Sequence, residues 1–363
     1  MKVAIVSGPR SAQGMGLESA ELQLLRALRE NLDGLRLDLR VVGGRAARRH
    51  ARSVGGRWYP GLPGRLPPRA WRSADLLHLV GLDVPPPPRG RFVAMVHDLA
   101  ALRFPDEGAL PPWAPEIIAR AARVLTPSRF TAGELQELFD VAPERIRVVP
   151  NGPGQPVSPA TEPLSEDELR ALGLSTPFVL RMGGYTQRKN VPVLLDAWPE
   201  VRRRTGASLA LAGPPQPARD AQLAAAPSLD GVAVLHYLPA AVVPRLLRSA
   251  SALVSTSTYE GFGLPPLEAM AAGVPVVAVR SGAVEEVCGD AALLVDNDPR
   301  ALADVLIRAL EDESLGERLR SAGLARSSSF TWEKAGESLR DIYRECASAR
   351  DRREKSGGNA GCE

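Results

Sequence analysis

The chain has 363 residues, 44% of them hydrophobic, 24% charged and 5% aromatic, with a formal net charge of +3. That length exceeds what one hydrophobic core usually serves, so two domains are expected. The scarcity of aromatics argues against a broad base-stacking surface for nucleic acid, and no apolar run approaches the ~18 residues of a membrane span.

Cys288, Cys346 and Cys362 are too dispersed for a disulfide framework or a metal site. A reducing cytoplasm is the expected compartment, with any membrane contact peripheral, at the inner face. Charge is uneven: residues 1–150 carry 22 Lys+Arg against 15 Asp+Glu, and the remainder carries 23 against 27. Much of the surplus lies in Arg45, Arg48, Arg49, Arg52, Arg57, Arg65, Arg69 and Arg72, a run with no acid between its members. It reads either as a solvated surface or as a patch for a phosphorylated or membrane-embedded acceptor.

In chain order, the first apolar run is VAIVS (3–7), a buried strand too short for a signal h-region. A loop containing Gly14 and Gly16 follows, then a helical pattern with Leu17, Leu22, Leu25 and Leu28 at its apolar positions. Further strands are expected at 35–42, 74–81, 92–98, 122–128 and 145–152, and residues 43–72 and 82–91 read as Gly/Pro/Arg-rich loops. The Pro-rich segment 152–177 reads as a domain boundary.

A second strand–helix series then starts at FVLRMGG (178–184). It continues through strands at 208–214, 232–238, 252–258, 274–279 and 292–298, with helices between them. Helices near 298–311 and 313–327 and a last helix from 330 complete the pattern, with Trp332 as an anchor for that helix. The tail is polar and glycine-rich. The fold class is α/β: two doubly wound, Rossmann-like domains facing a central cleft. Their expected extents are 1–160 and 161–330, with a helix over 331–348 crossing back to the first domain and a disordered tail over 349–363.

The chemistry concentrates in YEGFGLPPLEAMAAG (259–273), which follows the strand ALVSTST. Pro265 and Pro266 suit a helix's first turn, and Gly273 suits its C-terminal end. Gly261, Phe262 and Gly263 then sit just ahead of a helix N-terminus, whose unpaired N–H groups favour an anion. Glu260 and Glu268 border the same loop, Glu268 in the helix's first turn, where both can accept hydrogen bonds from vicinal hydroxyls. Arg188 and Lys189, after the first strand of the second series, supply cations for an anion between them.

The stretch YEGFGLPPLEAMAAGVPVVA resembles the signature of family 4 glycosyltransferases, the retaining group with the GT-B fold, and Glu260…Glu268 matches its E-x7-E motif. Further matches are MVHDLAALRFPDE (95–107), VLTPSRFTAGEL (124–135), RIRVVPNG (145–152), QRKN (187–190), LALAGP (209–214) and FTWEK (330–334). The HDLAALRFP and QRKN variants are most similar to the bacterial mannosyltransferase-like branch.

The resemblance implies a hexosyltransferase that moves mannose or glucose from a GDP- or UDP-linked donor to an acceptor hydroxyl, with no metal and no other cofactor. The acceptor could be a glycan, a lipid-linked glycan or a small molecule. The first domain would bind the acceptor and the second the nucleotide sugar. Glu268 would hold the ribose, Glu260 the donor sugar, and the N–H groups of Gly261, Phe262 and Gly263 the sugar and diphosphate, with Leu264 also at the donor site. Arg188 and Lys189 would neutralise the departing diphosphate. His97 would lie near the transferred sugar, and Gly14 and Gly16 would let backbone approach the donor phosphates and the acceptor. The base is expected beside Leu238.

One departure is that the arginine many members place five residues before the lysine is Gly184 here. Asp296-Asn297-Asp298 mimics a metal motif but reads as a helix N-cap followed by Pro299. The rival readings are a nucleotide-sugar epimerase on the same fold and a non-catalytic nucleotide-sugar-binding subunit.

Overall fold

A computed structural model describes residues 1–8, 15–30, 34–60, 70–236 and 238–357. The chain divides into two compact units: Met1–Leu99 with Ala109–Asn151 and Trp332–Glu363, and Ala100–Gly108 with Gly152–Thr331. It thus passes into the second unit at 151/152, ahead of the expected 160, and the second unit also takes the short excursion Ala100–Gly108.

The first unit is built from β1 (Lys2–Ser7), α1 (Met15–Glu30), β2 (Arg36–Val42), α2 (Arg45–Ser53), β3 (Arg57–Tyr59), β4 (Leu76–Leu79), β5 (Phe92–Met95), α3 (Ala114–Arg120), β6 (Arg123–Thr126), α4 (Arg129–Phe139) and β7 (Ile146–Val148). Its seven strands pair in parallel in the order β3-β2-β1-β4-β5-β6-β7. Val3 aligns with Leu37 on one side and Leu76 on the other. Such strands are covered on both faces, so Val3, Ala4, Ile5 and Val6 are all buried.

Residues 43–72, expected to be a loop, contain α2 and β3. The helix was hidden by its composition: its buried face is made of Ala47, His50 and Ala51, while Arg45, Arg48, Arg49 and Arg52 are exposed. The edge strand β3 is fixed by charge, because Asp38 of β2 receives Arg57 of β3 at 2.7 Å and buried Arg40 at 2.8 Å.

The second unit comprises α5 (Glu166–Ala171), β8 (Phe178–Met182), α6 (Val191–Thr205), β9 (Ser208–Ala212), α7 (Pro217–Ala224), β10 (Val232–Leu235), α8 (Val242–Ser249), β11 (Ala252–Ser255), α9 (Leu264–Ala271), β12 (Val276–Val279), α10 (Gly282–Cys288), β13 (Leu293–Val295), α11 (Pro299–Glu311) and α12 (Glu313–Ser327). Its sheet order is β10-β9-β8-β11-β12-β13. Chain order reverses between β8 and β11, so the loops after these strands flank the crevice at which doubly wound sheets take ligands.

Side chains alternate across this sheet as strand geometry requires. Phe178 and Leu180 join a core layer with Phe262, Leu267 and Met270, and Val179 joins the opposite layer with Trp198, Leu209 and Leu302. Helix α5 lies inside the segment read as linker. The Ser165 side chain accepts the Glu168 N–H while Glu168 accepts that of Ser165, a capping box whose sequence signature is the S-x-x-E spacing. Asp298 caps α11 through the Ala301 N–H, with Pro299 in the first turn, as expected.

The last helix, α13 (Trp332–Gly357), belongs to the first unit. It is longer than read and extends into the tail expected to be disordered from 349. Trp332 and Leu339 are buried, Tyr343 meets His78 of β4 at 2.6 Å, and Glu345 pairs with Arg123 of β6 at 2.5 Å and Arg147 of β7 at 2.8 Å. Among the described residues, no helix is long and apolar enough to cross a membrane.

Candidate active site

The crevice between β8 and β11 is lined by two turns pinned to each other. After β8, residues 187–189 form a 3-10 turn that ends in Asn190, with φ of 44°. After β11, the Thr256 hydroxyl donates to the Lys189 carbonyl at 2.8 Å and the Thr258 N–H donates to the Arg188 carbonyl at 2.8 Å. Backbone register therefore sets the side chains of Arg188 and Lys189 against the loop that carries Glu260.

Glu260 is gripped from both sides. Lys189 Nζ lies 2.6 Å from Oε1 and Arg188 Nη1 lies 2.9 Å from Oε2. Lys189 and Glu260 side chains are only 16% and 12% exposed. Burial alone would raise the Glu260 carboxyl, but Lys189 and Arg188 outweigh it, with a further hydrogen bond from Ser257, and hold it at about 2. Lys189 is pushed below the usual lysine range by burial, with Glu260 opposing.

Two acids absent from the sequence-based site also belong here. Glu107 accepts Arg188 Nε at 2.5 Å and the Thr186 hydroxyl at 2.6 Å, and Asp106 accepts the Gln187 N–H at 2.5 Å. Both come from the excursion Ala100–Gly108, and Phe104 of the same segment packs edge-on against Tyr259 at 5.8 Å. The signal available was the stretch MVHDLAALRFPDE, which ends on these two acids.

Glu268 is the electrostatic opposite of Glu260. It is the fifth residue of α9 and so lies in its second turn, not the first as expected, because the helix begins already at Leu264. It is 5% exposed, and among the described residues no cation pairs with it. Burial pushes its carboxyl up to about 7, against lowering hydrogen bonds from the backbone of Gln155 and Gly154. Two glutamates bordering one loop are thus held on either side of the usual carboxylate range.

The backbone between them is placed as the sequence suggests. Gly263 has φ of 106°, a conformation that favours glycine, and a Cβ there would meet Val284 at 3.3 Å. Phe262 turns its ring into the core against Phe330 at 5.8 Å, and Leu264 packs on the same layer. Gly261 is buried. Gly273 ends α9 with φ of 69°.

The remaining expected residues fall on other elements of the two units. Leu238 is partly buried against the Phe178 layer, beside His236, whose Nδ1 is 3.2 Å from Arg219. His97 belongs to the first unit, two residues past β5, with Nε2 2.8 Å from the Val80 carbonyl, so the ring proton sits on Nε2. Gly16 falls in α1, and Gly14, Arg65 and Arg69 lie outside the described residues.

Two family models match the chain: Glycosyltransferase Family 4 over residues 16–153 and Glycosyl transferases group 1 over residues 176–312. The O-antigen chain mannosyltransferase B of Escherichia coli is 33% identical over 240 residues, covering 63% of this chain and 62% of that protein. A D-inositol 3-phosphate glycosyltransferase of Nocardioides is 33% identical over 254 residues, covering 63% of this chain and 55% of that protein. The chain therefore spans about three-fifths of the length of these curated relatives. The solved structure of Anabaena Alr3699/HepE with UDP and glucose superposes with a TM-score of 0.74 at 16% identity, covering 94% of this chain and 99% of that one.

The Glu268 environment makes a testable statement about the free protein. A carboxyl raised to about 7 in the fold, from an ordinary 4.5, favours the folded state when protonated. Its contribution falls as pH rises from about 4.5 to 7, by roughly 3 kcal/mol, and is then constant. Glu268→Gln should raise the melting temperature at pH 8 but not at pH 4. A shift equal at both pH values would contradict the assignment.

With a glycosyltransferase family model over each half and Lys189, Arg188 and Glu260 assembled at the switch point of the second, the chain belongs to the GT4-type glycosyltransferases of the GT-B fold.

Proposed function

We propose that this protein is a retaining hexosyltransferase that moves a mannose- or glucose-type sugar from a nucleotide diphosphate donor to an acceptor hydroxyl in glycan or glycoconjugate biosynthesis. The observation that carries the reading is the pair of cations, Lys189 and Arg188, converging on Glu260 at the switch-point crevice. The O-antigen mannosyltransferase among the relatives favours a hexose of this kind, and the UDP and glucose named for the HepE structure favour a nucleotide-sugar donor.

The proposed chemistry follows from where charge develops. The anomeric C–O bond breaks, the electron pair leaves with the diphosphate, and positive charge grows on the sugar. Lys189 and Arg188 stabilise the departing oxygens, aided by the amide groups ahead of α9. The acceptor oxygen attacks the same face, and its proton passes to a leaving phosphate oxygen. Charge stabilisation by side chains and backbone leaves no step that requires a metal. Glu260 keeps the two cations ordered before the donor arrives and faces the sugar hydroxyls. Glu268 accepts the ribose hydroxyls, Leu238 borders the base, and His97, fixed as its Nε2–H tautomer, is read as a sugar-binding residue.

Lys189→Ala should lower kcat by about 10²–10³-fold, the range seen when one donor to a developing oxyanion is removed. Glu268→Gln should instead raise the donor KM. A Lys189→Ala enzyme that folds and keeps its kcat would sink the leaving-group role.

The exposed arginines of α2 are proposed to meet an anionic acceptor or the lipid surface that carries one. Arg57 pairs with Asp38 while its side chain stays largely exposed. Arg48→Glu with Arg49→Glu should raise the acceptor KM and leave the donor KM unchanged. An acceptor KM equal to wild type would refute it.

A further inference from the structure

We propose that Arg181 is a positioning residue for the donor diphosphate: it locks the Gly183–Gly184 peptide so that the Gly184 N–H faces the anion, and it adds a third positive charge. The inference rests on the donor reading above and goes beyond it, because it assigns a residue that no part of the signature includes.

Arg181 stands in β8, two residues from the crevice, and is 2% exposed. Burying a guanidinium is strongly unfavourable unless its donors are taken up. Among the described residues, no carboxylate pairs with it. Instead Nη1 donates to the Gly183 carbonyl at 2.6 Å, Nη2 donates to the Gly184 carbonyl, and the guanidinium lies 5.1 Å from the centroid of the Tyr185 ring. Burial lowers it to about 10, with Tyr185 and Glu260 opposing, so it remains a cation at neutral pH.

The two carbonyls fix two peptide planes. In a trans peptide the N–H points opposite to the C=O. With both carbonyls turned onto Arg181, the N–H groups of Gly184 and Tyr185 must point away from it. The Tyr185 N–H is taken by Gln216 Oε1 at 2.6 Å, whereas the Gly184 N–H has no acceptor among the described residues. Gly213 backs this turn so closely that a Cβ on it would lie 2.1 Å from the Gly183 carbonyl oxygen. The turn is therefore held from behind, and one backbone donor is left facing outward beside the 187–189 turn.

The charge count points the same way. Among the described residues, Arg188 pairs with Glu260 and Glu107 and Lys189 with Glu260, while Arg181 beside them adds a third cation to which no carboxylate is paired. A buried guanidinium with no paired carboxylate, beside an open N–H, suits a polyanion better than a single phosphate. Position 184 cannot supply a cation here, since it is glycine, and the guanidinium from position 181 lies on its carbonyl instead.

Calorimetric titration of the full chain with GDP, GMP, UDP and UMP tests this. Wild type should prefer one diphosphate over its monophosphate. No such preference for either base would defeat the donor reading and this inference with it. Arg181→Gln should lower the diphosphate-to-monophosphate affinity ratio at least tenfold. A folded Arg181→Gln with the wild-type ratio would overturn the inference and spare the donor reading. Arg181→Lys keeps the charge but cannot fork two carbonyls, so its ratio should fall three- to tenfold. Should Arg181→Gln fail to fold, an unchanged ratio in Arg181→Lys would overturn the proposal.

Discussion

The ion pairs between Glu260 and the cations Lys189 and Arg188 are what the site depends on. Removing one member of a buried pair leaves the other uncompensated, at a cost of about 3–5 kcal/mol. That cost keeps the loops after β8 and β11 in register and holds the ammonium and guanidinium at one place. An anion that enters this crevice meets charges already oriented, so little reorganisation is needed when negative charge develops on it. Glu107 extends the same arrangement by holding the other side of Arg188.

Glu260 and Glu268 differ through environment alone. One faces two cations and stays ionised, and the other is buried against backbone amides of Gln155 and Gly154 and is raised to about 7. Environments that push two like groups apart divide their roles, as in other paired-carboxylate sites. A carboxyl raised to about 7 by burial lowers the stability of the fold at neutral pH, so Glu268 weakens the fold where Glu260 ties two loops together.

The architecture was legible because its strands are short, apolar and regularly separated by helical patterns; β1, β5, β8 and β12 lie where the sequence placed them. The fingerprint at 259–273 carried most of the site, since Gly263, the proline pair and Gly273 each impose a backbone conformation. Helix α2 was not legible because alanine and histidine make its buried face. Glu268 was placed one turn too early, because it is the fifth residue of a helix that runs from Leu264. Arg181 announced itself only as a charge inside FVLRM, which nothing in the sequence alone distinguishes from a strand-end residue pointing to solvent. Glu107 reaches Arg188 across 81 positions of the chain, a pairing that spacing does not encode.

The most direct test of this account is to incubate the protein with UDP-, GDP- and dTDP-linked hexoses, without acceptor, and to measure release of nucleoside diphosphate. The account predicts slow hydrolysis of one mannose- or glucose-type donor, suppressed by Lys189→Ala and undiminished by EDTA. Release of no nucleoside diphosphate from any donor, or release that continues unchanged in Lys189→Ala, would contradict it.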